Sequence, residues 1–173
     1  MTGPRPAGTG ATVTATEAGA PRAVIGIGNP YRHDDGIGPA VAAEIERLRL
    51  PGVRVAVCDG EPVSLLAAWD GAGLAVVVDA VHQAPGCPGR IRRVTAGQLA
   101  SDGAGTSSHG FGVPYALRLG RALHRQPGQL IVIGVEGADF SAGTGLSAAV
   151  AAALPAVIAA VRAELTPRPG RAR

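Results

Sequence analysis

A three-layer α/β/α sandwich, built on a mixed and mostly parallel sheet of about five strands, is the fold this sequence predicts. Three observations predict it. Short β-rich runs alternate with amphipathic or alanine-rich segments, the pattern of strands joined by helical crossovers. Three of the runs, Ala23-Val-Ile-Gly-Ile27, Leu74-Ala-Val-Val-Val78 and Leu130-Ile-Val-Ile-Gly-Val135, are continuously apolar, as strands covered on both faces must be. Aromatic residues are only 3% of the chain, so the core has to be built from small and branched aliphatic side chains in close layers.

Taken in order, the first strand spans Arg22 to Gly28. A helix then starts at Asp34 or Asp35 and runs to about Leu48; Pro39 is tolerable there because it falls in the first turn, and Pro51-Gly52 ends the segment. Val53 to Cys58 is the second strand, Pro62 to Asp70 a short helix, and Leu74 to Val78 the third strand. Arg90-Ile-Arg-Arg-Val94 alternates polar and apolar and so reads as an edge strand. Gly112 to His124 is a helix stopped by Pro127-Gly128, and Gln129 to Val135 the last strand. The final helix runs from Ser147 to Leu165, where the internal Pro155 predicts a kink or a break.

With 173 residues the chain is long enough for one good core and too short for two. The reading is a disordered leader over 1–21, a single α/β domain over 22–166 and a disordered basic tail over 167–173. Setting aside the two tails leaves 12 arginines against 12 acids, so the folded part is electrically balanced despite the formal charge of +3. Lysine is absent and the arginines are scattered, which gives no basic stripe for a nucleic acid. Two cysteines, Cys58 and Cys87, make no disulfide framework, and a reducing cytoplasm is the expected compartment. The apolar stretch from Leu146 to Val161 contains Ser147 and Pro155 and falls short of the ~18 apolar residues of a membrane span, so no membrane insertion is expected.

The densest chemical feature is the loop after the first strand, which carries Gly26, Gly28, Asn29, Asp34, Asp35, Gly36 and Gly38. In open α/β sheets the functional crevice lies beyond the carboxyl ends of the strands, where this loop falls. A dinucleotide fingerprint needs a glycine where Tyr31 stands, and two adjacent carboxylates repel a phosphate, so a cation is the better guest. One of the two aspartates can cap the following helix while the other faces the crevice; Asp35 is assigned to the crevice, and Asp34 is a candidate general base. Asp79 closes the third apolar run, and His109 lies in the polar loop Ser107-Ser-His-Gly110 before a helix. Each has a bland alternative, a turn aspartate or a surface imidazole. Together, two carboxylates and one imidazole from three crossover loops form an open donor set that suits zinc or nickel. His82, after Asp79, ranks below it as a ligand.

These residues resemble those of the nickel-iron hydrogenase maturation endopeptidases. The resemblance runs from about Ala23 to Val161 and rests on Gly26-x-Gly-Asn-x-x-x-x-Asp-Asp-Gly-x-Gly38, with Val78-Asp-Ala80, Ser108-His109, Gly134-Val-Glu136 and Gly145-Leu-Ser147 in order behind it. The first motif is long enough to be specific. The resemblance implies an α/β/α fold and a metal site on Asp35, Asp79 and His109, with Asp35 standing where some members have Glu. It implies removal of a C-terminal extension from the hydrogenase large-subunit precursor by a monomeric enzyme. The nickel belongs to the substrate, and zinc or cadmium can occupy the same donors in vitro.

Two rival readings come from other classes. A cysteine protease would use Cys87 with His109, but Cys87 between Gly86 and Pro88 lacks the helix N-terminus that lowers a thiol pKa. A non-enzymatic nickel-binding or delivery protein would use the same three ligands, and no H-E-x-x-H protease motif stands against it. Arg118, Arg121 and Arg125 form a partial basic face that can receive a peptide tail, Glu136 ends a central strand near the crevice, and Trp69 reads as a packing residue.

Overall fold

The computed structural model describes residues 20–101 and 112–166. Five strands, β1 (Arg22–Ile27), β2 (Val53–Cys58), β3 (Leu74–Val81), β4 (Ile91–Thr95) and β5 (Gln129–Glu136), form one sheet in the order β2-β1-β3-β5-β4. All neighbours are parallel except β4, which runs antiparallel along β5 at the edge that its alternating sequence suggests. A 3-10 turn over His33–Gly36 leads into α1 (Ile37–Arg47). The remaining helices are α2 (Pro62–Trp69), α3 (Ala96–Ser101), α4 (Gly112–Ala122) and α5 (Ala148–Leu165).

Strand alternation sorts the side chains into two cores. Ala23, Ile25 and Ile27 of β1, with Ala75 and Val77 of β3, face Leu65, Leu66 and Trp69 of α2 and Ala116 and Leu117 of α4. Val24, Val76, Val78, Ile131 and Ile133 face Ile37, Val41 and Ile45 of α1 and Val150, Val157 and Val161 of α5. Burial on both faces explains why the central strands are apolar without interruption. The sandwich is therefore the three-layer, mostly parallel one that the sequence predicts.

Four local expectations are revised. First, neither Asp34 nor Asp35 caps α1: both lie inside the 3-10 turn, and the N-cap is Gly36. Second, β3 does not stop at Val78 but continues to Val81, because β5 still pairs with it after β1 has ended. Third, α3 was not foreseen, although Thr95 and Gln98 form a capping box: the Thr95 N–H donates to Gln98 Oε1 at 2.9 Å, and the Gln98 N–H to Thr95 Oγ1 at 3.4 Å. Fourth, Pro155 does not break α5, whose helix is continuous over 18 residues. Pro155 and Ala151 both lie on the exposed side, so water can satisfy the Ala151 carbonyl that loses its donor.

By length and composition the window Ala148–Leu165 of α5 is apolar enough to cross a membrane, a test that the core helix of a soluble protein also passes. Here its buried valines cover the sheet. At the amino edge of the sheet the Arg22 guanidinium donates to the carbonyls of Leu165 and Pro51, tying the start of β1 to the last turn of α5.

Candidate functional site

The motif loop is shaped by close backbone approaches. Gly28 has φ +133°, and a Cβ there would lie 1.9 Å from the Asp35 carbonyl oxygen. A Cβ on Gly38 would lie 2.2 Å from the Ile27 carbonyl oxygen and 2.7 Å from that of Val78, so the start of α1 rests on the ends of β1 and β3. These contacts place the 3-10 turn at the carboxyl rim of the sheet, packed against β3.

Asp35 is buried there, and its Oδ2 accepts the Asn29 N–H at 2.9 Å. Asp79 is buried on β3 in register with Gly134, one residue past the last residue of β3 that pairs with β1. By strand alternation its side chain shares the α2 and α4 face with Val77. Two carboxylates from separate segments thus occupy one rim. At the end of β2, burial pushes the Cys58 thiol up, and the Asp59 and Asp79 carboxylates push it further, against a hydrogen bond from the Gly60 backbone. His109 lies outside the described residues. The helix it precedes begins at Gly112, where a Cβ would meet the Gly60 carbonyl oxygen at 2.3 Å, so α4 starts beside the carboxyl end of β2. Among the described residues no three His, Cys, Asp or Glu side chains cluster as metal donors.

Asp34 takes a different part from the candidate base of the sequence reading. Its Oδ1 accepts the Ser147 N–H at 2.7 Å, and its Oδ2 accepts the N–H groups of Ala138 and Asp139 at 2.8 and 3.0 Å and the Ser147 hydroxyl at 2.8 Å. Burial pushes this carboxyl up, but the three backbone donors and the hydroxyl outweigh it, and its pKa lies below the ordinary aspartate value. Such a group is a poor proton acceptor. It is an anchor between the motif turn and the N-terminus of α5, whose dipole favours an anion there. His33, with φ 44°, adds to the same junction through Nδ1, 3.0 Å from the Gly145 carbonyl oxygen, and Arg32 bridges to Gly143.

The remaining candidates separate from this rim in various ways. His82 is exposed and meets Phe140 edge-on, with ring centroids 5.9 Å apart. Cys87 is exposed, and its N–H donates to Glu136 Oε2 at 2.6 Å. Glu136 is buried and also accepts from Arg92 Nε at 2.8 Å; the Cys87 N–H and the Arg92 guanidinium hold its pKa below the usual value. It pins the excursion between β3 and β4. The three arginines of the expected basic face are all exposed, and each has its own contact. Arg118 stacks over Tyr115, Arg121 lines a cavity of about 320 Å³ with Thr95 and Gln126, and Arg125 lies past the end of α4, paired with Asp70.

The fold defines a doubly wound α/β protein, a class whose ligands bind beyond the carboxyl ends of the strands, the rim on which Asp35 and Asp79 lie. The chain belongs to the hydrogenase maturation protease family: the HycI model of that family matches residues 39–164, a span that includes Asp79 and His109. By that membership it is an endopeptidase. No curated protein matches it in sequence. The fold is similar to that of the hydrogenase maturating endopeptidase HybD from E. coli, at 23% identity and a TM-score of 0.69 over 84% of this chain and 91% of that one. It is also similar to the nickel-iron hydrogenase maturation protease HybD from Thermococcus kodakarensis, at 19% identity and a TM-score of 0.70 over 84% and 99%. HycI from the same archaeon follows at 21% identity and a TM-score of 0.66 over 86% and 95%.

Proposed function

We propose that this endopeptidase removes the C-terminal extension of a nickel-loaded hydrogenase large-subunit precursor, with the substrate's nickel as the recognition element. The supporting observation is the placement of two buried carboxylates, Asp35 in the 3-10 turn and Asp79 on β3, at the carboxyl rim of the sheet. Carboxylate oxygens with an imidazole from His109 are donors that suit a borderline divalent cation. Asp59 and Asp79, the acids that raise the Cys58 thiol beyond the effect of its burial, add negative charge on the same side of the sheet, which supports a cation over an anion as the guest. Nickel held by the precursor would be met by these three side chains, so that a peptide without the metal gains only part of the contact. The chemistry such a cation supplies is polarisation of the scissile carbonyl and activation of water. Asp35 and Asp79 orient the precursor about that point, and Asp34 keeps Asp35 in place by anchoring the turn that carries it.

Intact-mass measurement of purified precursor, incubated with and without nickel, tests this reading. The unaltered protein should shorten only the nickel-loaded precursor, and Asp35→Ala, Asp79→Ala and His109→Ala should each lose cleavage while keeping the parent's circular dichroism. Full cleavage by all three variants removes the site assignment. A precursor of unchanged length, with nickel bound tightly by the protein alone, replaces the endopeptidase with a carrier.

A further inference from the structure

Among the described residues no strand pairs with the outer edge of β2, whose backbone groups are directional. The Arg22 N–H donates to the Gly52 carbonyl and the Gly28 N–H to the Cys58 carbonyl. In a parallel pair, alternate residues point the same way, so Arg54, Ala56 and Cys58 also turn their N–H and C=O groups toward β1. Val55 and Val57 therefore turn theirs outward, and Val57 is 55% exposed. Such an edge is a template for an additional strand. Beside it runs a groove of about 660 Å³ between β2 and α2, floored by Ala56 and walled by the small side chains of Ser64, Ala67 and Ala68.

The groove leads to the candidate site. Its carboxyl end is Cys58, whose carbonyl holds Gly28, and a Cβ built on Gly28 lies 3.5 Å from the Asp35 carboxyl carbon. At that end Asp59 and Glu61 are exposed, and among the described residues neither has a cationic partner. Arg54, the one cation along the groove among the described residues, is occupied: its Nη2 donates to the carbonyls of Ala68 and Asp70.

We propose that β2 receives an extended segment of the precursor's C-terminal extension as a sixth strand, hydrogen-bonded to Val55 and Val57 and carrying a basic residue beside Asp59 and Glu61. This rests on the function proposed above and adds the path by which the peptide reaches Asp35 and Asp79. Backbone pairing holds the segment whatever its side chains, the small wall residues of α2 admit them, and the acidic pair sets the register.

Amide hydrogen exchange on the unaltered protein, with and without the nickel-loaded precursor, reads the edge directly. The Val55 and Val57 amides should slow when the precursor is added. Val57→Pro removes one outward donor and spares the pairing with β1, since proline is tolerated on a strand edge. It should raise KM by about tenfold at similar kcat, the worth of a backbone hydrogen bond with the ring's steric block. Asp59→Asn combined with Glu61→Gln should also raise KM, most at low salt. Cleavage by the unaltered protein without slowed exchange at Val55 and Val57, or with an unchanged KM in a folded Val57→Pro, overturns the edge and leaves the proposed function standing. Absence of cleavage by the unaltered protein overturns both. If Val57→Pro does not fold, the exchange measurement decides alone.

Discussion

Replacing Asp34 tests whether a single carboxylate joins the motif turn to the last helix. Its two oxygens take four donors, at 2.7 to 3.0 Å, from Ala138, Asp139 and Ser147. Hydrogen bonds to a charged group contribute roughly 1.5–3 kcal/mol each, and bonds sharing one carboxylate add less than their sum. Asp34→Ala should therefore destabilise the protein by about 4 kcal/mol. Asp34→Asn is more discriminating. With its oxygen in the place of Oδ2 it keeps three bonds, but its amide then faces the Ser147 N–H, donor against donor, and the anion at the N-terminus of α5 is gone. That change should cost about 2–3 kcal/mol. The assay is urea unfolding at pH 7, followed by the fluorescence of the chain's one tryptophan, Trp69, with the slope against urea unchanged between proteins. An Asn variant within about 0.5 kcal/mol of the parent, or an Ala variant no weaker than the Asn one, refutes the anchor.

Gly28→Ala should lower stability by at least about 3 kcal/mol, because φ is +133° and the new Cβ would sit 1.9 Å from the Asp35 carbonyl oxygen; a melting temperature within a few degrees of the parent counts against the close approach. Trp69→Ala removes a fully buried ring whose Nε1 donates to the Arg125 carbonyl at 3.1 Å, and should cost about 3–5 kcal/mol by denaturant unfolding followed by far-ultraviolet circular dichroism. Glu136→Gln should speed exchange of the Cys87 amide and proteolysis within 83–90. Since the folded state holds the Glu136 pKa below its ordinary value of 4.5, the stabilisation is present above that value and is lost as pH falls through the lowered one. In the parent the Cys87 amide should therefore loosen only in acid, and a Cys87 amide that exchanges at the same rate in both proteins removes Glu136 as the pin.

Strand positions were legible because parallel strands covered on both faces must be apolar throughout, and β4 was legible as an edge because Arg92 and Arg93 interrupt it. The rim location of Asp35 and Asp79 followed from the same logic. What the sequence concealed depends on distance along the chain. The partners of Asp34 lie more than a hundred residues away, so the choice between cap, base and anchor needed the tertiary structure. The end of β3 was misjudged because Asp79 looks like a stop, whereas the strand goes on wherever β5 supplies hydrogen bonds. The pairing of Arg125, past the end of α4 at Ala122, with Asp70 is likewise hidden in the sequence, since the two residues lie 55 apart.

The clasp of Arg22 on the last turn of α5 sets where attachments can go. Residues 22 and 165 sit side by side at the amino edge, and the six residues of β1 separate that edge from the crevice by about 20 Å. In a chain trimmed to residues 20–166, a reporter or affinity handle fused at either end would start on the side facing away from the carboxyl rim. A short linker joining residues 20 and 166 would likewise close that trimmed chain into a permuted form without crossing the rim.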